Sequence, residues 1–217
     1  MSRARKIVVI VACVLALAAC SGAEEQPDET PGQAAPVVQL GAPGERNRVL
    51  TPREASELPV PSFTQADVEF VQMMMSHHSQ ALEMNAVVKS RTTSDDLPLL
   101  AERMDVSQRD EIALMQRWLE DHDQSTTASH DHGQMPGMLT PEQLTQLSEA
   151  EGAEFDRLFL QSMIYLHEGA ILMVEELLTG GEGGQESQIF QLAQHIDSDQ
   201  RVEISRMKQL LAEREGG

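Results

Sequence analysis

The chain has 217 residues, 35 acidic against 16 basic, and a formal net charge of −19. A surplus of that sign repels phosphate backbones and anionic headgroups, which excludes charge-driven binding to nucleic acid or to a lipid surface. Five Phe, one Trp and one Tyr against 12 Met leave a core to be built from Leu, Ile, Val, Ala and Met, material that suits packed helices better than a sheet.

Residues 1–20 read as an export signal. Arg3, Arg5 and Lys6 precede the apolar run from Ile7 to Ala19, which is short of the roughly 20 residues a membrane span needs. Leu17-Ala18-Ala19-Cys20 resembles a bacterial lipobox. It predicts a signal peptide over 1–19, cleavage before Cys20 and acylation of that Cys, for example with palmitate. The expected product is exported and lipid-anchored to the outer face of a bacterial membrane. Cys13 lies inside the signal, so Cys20 has no partner for a disulfide and no Cys remains for zinc or nucleophilic chemistry. Residues 20–62, rich in Pro, Gly, Glu, Ala and Gln, read as a lipid-anchored flexible tether. A helical domain is expected over 63–214.

Helical periodicity begins at Gln65, with Thr64 as N-cap and Asp67 at the positive end of the dipole. The core stripe is Phe70, Met74, His77, Ala81, Met84 and Val88, and a neighbouring row holds Val71, His78 and Asn85. Thr92-Thr93-Ser94 interrupts the helix, and Ser94 reads as the cap of a second one. That second helix carries the stripe Leu97, Ala101, Met104, Gln108, Glu111, Met115 and Trp118, and it fades near His122. Residues 123–139 form a polar connector with His130, His132, Met135 and Met138, a possible secondary site for a soft ion. Thr140-Pro141 restarts a helix, with a break near Gly152 and a long continuation to about Leu178. A Gly-rich turn leads into a last helix over about 186–212. Hairpins over 64–122 and 140–214 predict an all-α, antiparallel four-helix bundle.

The two hairpins repeat each other. At an offset of 89, Asp67, Phe70, Met74, His78, Ala81 and Met84 fall on Asp156, Phe159, Met163, His167, Ala170 and Met173. Beyond the second turn the offset is 92. There Gln108, Glu111, Ile112 and Met115 fall on Gln200, Glu203, Ile204 and Met207. His77 falls on Leu166, so the apolar twin sets it apart. In an antiparallel hairpin turning near residue 93, His78 stands level with Gln108 and Glu111, and His167 with Gln200 and Glu203. A carboxylate repeated on an apolar stripe calls for a partner, because burying it alone is costly.

The pattern Asp-x-x-Phe-x-x-x-Met-x-x-His-His-x-x-Ala-x-x-Met, then Gln-x-x-Glu-Ile-x-x-Met, then the same again, resembles the bacterial secreted family filed as domain of unknown function 305. The resemblance covers about residues 64–211 and implies a ferritin-like four-helix bundle. It also implies an envelope metal-binding role, because at least one cyanobacterial member is a periplasmic copper-binding protein. Leu166 departs from the pattern, since members usually have a His there.

The candidate metal set is His78, His167, Glu111, Glu203, Met74 and Met163, with a copper ion the implied cargo and no metal needed for folding. Imidazole and thioether together suit copper. The competing reading is an envelope scaffold whose polar layer only fixes helix register. An enzyme is not expected. Only two carboxylates reach the centre, fewer than a di-iron set uses, and the sequence has no triad, phosphate loop or dinucleotide motif.

Overall fold

The computed structural model describes residues 37–39, 46–59, 61–127 and 135–215. The expected signal, Cys20, His130 and His132 lie outside them. The chain divides at Leu58–Pro59 into two units.

In the first unit, β1 (Val37–Gln39) pairs antiparallel with β2 (Arg48–Leu50), Val37 opposite Leu50. A single turn of helix, α1 (Pro52–Ser56), follows. Thr51 opens it with a capping box: its hydroxyl accepts the Glu54 N–H, and the Glu54 carboxylate accepts the Thr51 N–H at 2.9 Å. The Thr51 N–H, together with the Thr51 hydroxyl donating at 2.8 Å, holds the Glu54 carboxyl below its ordinary value. The stretch read as a tether thus contains local structure, carried by β-branched Val37, Val38 and Val49 and by the Thr51-Pro52 start. Three-residue strands are too short to register as periodicity.

The second unit holds four long helices and one short one. They are α2 (Gln65–Arg91), α3 (Asp96–Asp121), α4 (Pro141–Glu149), α5 (Gly152–Thr179) and α6 (Ser187–Glu215). Thr64 caps α2 in a box with Asp67, and Thr140 caps α4 in a box with Gln143. The N-cap of α3 is Asp95, one residue later than the sequence suggests; Ser94 instead accepts the Asp96 N–H through its hydroxyl. Extended Ala150 and Glu151 separate α4 from α5, where the break was expected. α2 packs on α3 and on α5, and α5 packs on α6. Every residue of the two predicted stripes and of the Val71–His78–Asn85 row is buried.

The apolar core falls into two clusters. One gathers the N-terminal half of α2, the C-terminal half of α3, the C-terminal half of α5 and the N-terminal half of α6, around Phe70, Met74, Met115, Met173 and Leu192. The other gathers the opposite halves, around Met84, Leu100, Phe159, Met163 and Met207. The twins always part. Phe70, Met74, Met115 and Met173 lie in one cluster, and Phe159, Met163, Met207 and Met84 in the other. The repeat is therefore a pseudo-twofold axis across the bundle, exchanging its ends. Each fully buried Leu, Met or Phe contributes about 1.5–3 kcal/mol by removal from water.

The same symmetry ties the turns. Buried Asp67 accepts the Gly184 N–H of the α5–α6 turn at 2.6 Å, where Gly184 adopts a φ of 71°. Its twin Asp156, also buried, accepts the Thr92 hydroxyl of the α2–α3 turn and faces the Arg214 guanidinium at 3.7 Å. Each hairpin's leading Asp holds the other hairpin's turn.

Candidate metal centre

Between the two clusters lies a polar layer. His78 Nε2 is 2.6 Å from Glu111 Oε2, and His167 Nε2 is 2.7 Å from Glu203 Oε2. The hairpin register anticipated both pairs. Three of these four side chains are buried, and Glu203 is partly so. Gln108 and Gln200 are buried beside them in sequence, one helical turn before each Glu.

A carboxylate only accepts, so each imidazole donates its Nε2–H. In the neutral ring this leaves a bare lone pair on Nδ1. His78 Nδ1 and His167 Nδ1 are both buried and have no hydrogen-bond partner among the described residues; Gln108 Oε1 and Gln200 Oε1 are in the same condition. A buried polar atom left unsatisfied costs about 1–3 kcal/mol. Here four acceptor atoms of that kind occur as two twin pairs. A layer built only to fix register would satisfy its own members. By contrast, Asn85 Oδ1 is also unpartnered, but its twin is Val174 and the defect does not recur.

Burial raises the Glu111 carboxyl, but hydrogen bonds and charge from His78 and His195 outweigh it, and the group sits below its ordinary value. His195 is a residue that the duplication could not reveal. Its Nδ1 lies 3.1 Å from Glu111 Oε1, so Glu111 joins an inner and an outer imidazole.

His77 also belongs to this level. Burial pushes its imidazole down to about 3; nearby His78 adds to the drop, the hydrogen bond to Pro136 opposes it, and His167 adds a little. Its Nε2 donates to the Pro136 carbonyl at 3.1 Å. Its apolar twin Leu166 had set His77 apart, yet the fold brings it near both layer histidines.

Met74 and Met163 are wholly buried, each four residues before its His on the same helix. They flank the layer from opposite clusters, as do Met115 and Met207. In the connector, Met135 is buried and Met138 packs against the core. The stretch after Met135 is strapped onto the bundle: Gln80 donates to the Leu139 carbonyl at 3.0 Å and accepts the Leu139 N–H at 2.7 Å. Gly137, at a φ of 77°, lies against Gly169 of α5, and a Cβ on Gly137 would meet the Tyr165 carbonyl oxygen at 2.7 Å. His122 is committed elsewhere, its Nδ1 donating to the Trp118 carbonyl at 2.7 Å. None of the described helices is long and apolar enough to cross a membrane.

Fold and layer together define a duplicated antiparallel four-helix bundle with one buried imidazole–carboxylate pair per hairpin. Residues 67–211 match the family described as domain of unknown function DUF305, and the chain belongs to that family. It is 30% identical to a DUF305 protein of Streptomyces coelicolor described as secreted, over 69% of this chain and 93% of that one, with a TM-score of 0.63. It is 30% identical to a DUF305 fragment from Deinococcus radiodurans, over 70% and 99% of the two chains, with a TM-score of 0.65. It is also similar to CopM in its Cu(I)-bound form, at 27% identity over 68% and 96%, with a TM-score of 0.56; CopM has been solved in Cu(II)- and Ag-bound forms as well. No curated protein matches the chain.

Proposed function

We propose that this protein is an exported lipoprotein that holds a soft transition-metal ion, copper foremost, in its mid-bundle layer for sequestration or handover. The observation that carries the reading is the twin pair of bare Nδ1 atoms on His78 and His167, each on a ring whose Nε2–H is engaged by a carboxylate. That is how metal-binding imidazoles are commonly set: the outer N–H goes to a carboxylate, which fixes the ring and raises the basicity of the inner nitrogen. Imidazole nitrogen and thioether sulfur suit Cu(I), and Met74 and Met163 supply the sulfur from either side.

On this reading Glu111 and Glu203 act on the imidazoles rather than on the ion. Four metal donors remain: His78, His167, Met74 and Met163. Copper-bound CopM and the secreted Streptomyces protein support a metal cargo and a place outside the cytoplasm. The lipobox at Cys20 supports a membrane anchor, with no nucleic-acid partner. The protein is a carrier and not an enzyme, and its apolar clusters fold without metal. His130 and His132 are kept as a secondary capture site in the connector.

Titrating the full-length protein with Cu(I) and Ag(I) against competing chelators tests this. The double variant His78→Ala/His167→Ala is expected to lose at least a hundredfold in affinity. Undiminished binding in that variant overturns the reading.

A further inference from the structure

Glu111 reaches two ways. Its Oε2 meets buried His78, and its Oε1 meets His195 of α6, whose side chain is 63% exposed. One helical turn on, Asp199 Oδ2 stands 3.7 Å from His195 Nε2. One donor atom from each of Glu111, His195 and Asp199 lies within 4.8 Å of the other two. His195 and Asp199 form an i, i+4 pair on one helix, and Glu111 comes from another.

We propose that Glu111, His195 and Asp199 form a second metal site, at the bundle surface, for a borderline divalent cation such as Zn(II), Co(II) or Cu(II). Nitrogen and carboxylate oxygen suit such ions, and none of the three residues offers the thioether that draws Cu(I) or Ag(I). Bonds of about 2.1 Å set neighbouring donors about 3.4 Å apart in a tetrahedral site, so binding would draw the three donors together, with a turn of the exposed imidazole bringing one nitrogen toward both carboxylates. Glu111 is buried and held ionised by its imidazoles, which fixes one ligand in advance. Three protein ligands leave a position open to water, the arrangement of an exchangeable site rather than a closed structural one.

The repeat supplies an internal contrast. At the offset of 92, His195 and Asp199 correspond to Arg103 and Ser107, which line the groove that Glu203 opens onto. A guanidinium there repels a cation. The surface site therefore occurs once, between α3 and α6, whereas the buried imidazole–carboxylate pair occurs in both hairpins. It shares Glu111 with the layer but does not depend on an ion being held there.

Co(II) titration of the full-length protein, followed by its visible absorption, tests the site, with Ag(I) affinity measured on the same samples. The native protein is expected to bind Co(II) with an imidazole-ligated spectrum. Asp199→Asn is expected to weaken Co(II) at least tenfold while leaving Ag(I) affinity within twofold, and His195→Ala to weaken Co(II) at least as much. Asp197→Asn, which removes a neighbouring carboxylate engaged with Arg201, leaves Co(II) unchanged. No Co(II) binding by the native protein, equal binding in all variants, or an equal loss in Asp197→Asn overturns the site. Loss of Ag(I) binding from the native protein with Co(II) retained overturns the buried reading and leaves this one supported.

Discussion

The His78 imidazole donates Nε2–H to Glu111 across 2.6 Å, and its Nδ1 has no hydrogen-bond partner among the described residues. The bond orients the ring and enriches the free nitrogen with electron density, so the carboxylate affects a ligand it does not replace. Glu111→Gln keeps the acceptor and removes the charge. Its affinity for Cu(I) is expected to fall about 10–100-fold, with Glu203→Gln behaving alike. Chelator competition at fixed pH reads the change.

The thioethers are separable from the packing. Leu is close to Met in volume, and such swaps in a core cost less than about 1.5 kcal/mol. Met74→Leu/Met163→Leu is therefore expected to keep its melting behaviour and to lose Ag(I) affinity. Thermal melts and a silver titration on one preparation separate the two effects.

His77 gives the bundle an acid limit. Its imidazole titrates near 3 in the fold and near 6.5 when free. Between those values the unfolded chain binds a proton that the native one does not, so stability rises with pH through this window and is lost as pH falls. From pH 7 to pH 5 the expected loss is about 2 kcal/mol. Glu111 acts in the same sense only lower: its depressed carboxyl contributes stability above its unfolded value of 4.5, lost as pH falls through the folded one. His77→Leu, copying Leu166, is expected to unfold in urea with a flatter dependence between pH 7 and 5. An unchanged slope would contradict the assignment.

The strap is held by backbone contact as well as by Gln80. A Cβ on Gly169 would collide with the Pro136 carbonyl. Gly169→Ala is expected to destabilise the domain by about 1–3 kcal/mol, measured by denaturant unfolding.

The long helices were legible because their apolar stripes are strong local signals, as are the Thr caps of α2 and of the short α4. The layer was legible because a duplication shows which polar residues recur. Hairpin arithmetic pairs α2 with α3 and α5 with α6, so it found His78–Glu111 and His167–Glu203. It could not find His195, which meets Glu111 across hairpins, sits on a polar face and has Arg103 as its twin. His77 was discounted on its twin Leu166, yet packing of the strap and of α5 against α2 makes it part of the layer's surroundings. The short strands of the first unit gave no periodicity to read.

The central claim is that the bare Nδ1 atoms hold the ion. Crystals of the protein loaded with one equivalent of Ag(I), measured for anomalous scattering, test it most directly. The account predicts a peak within bonding distance of His78 Nδ1 and His167 Nδ1, inside the bundle. Silver found only on residues 128–138 or on the surface, with the layer unchanged, would contradict it.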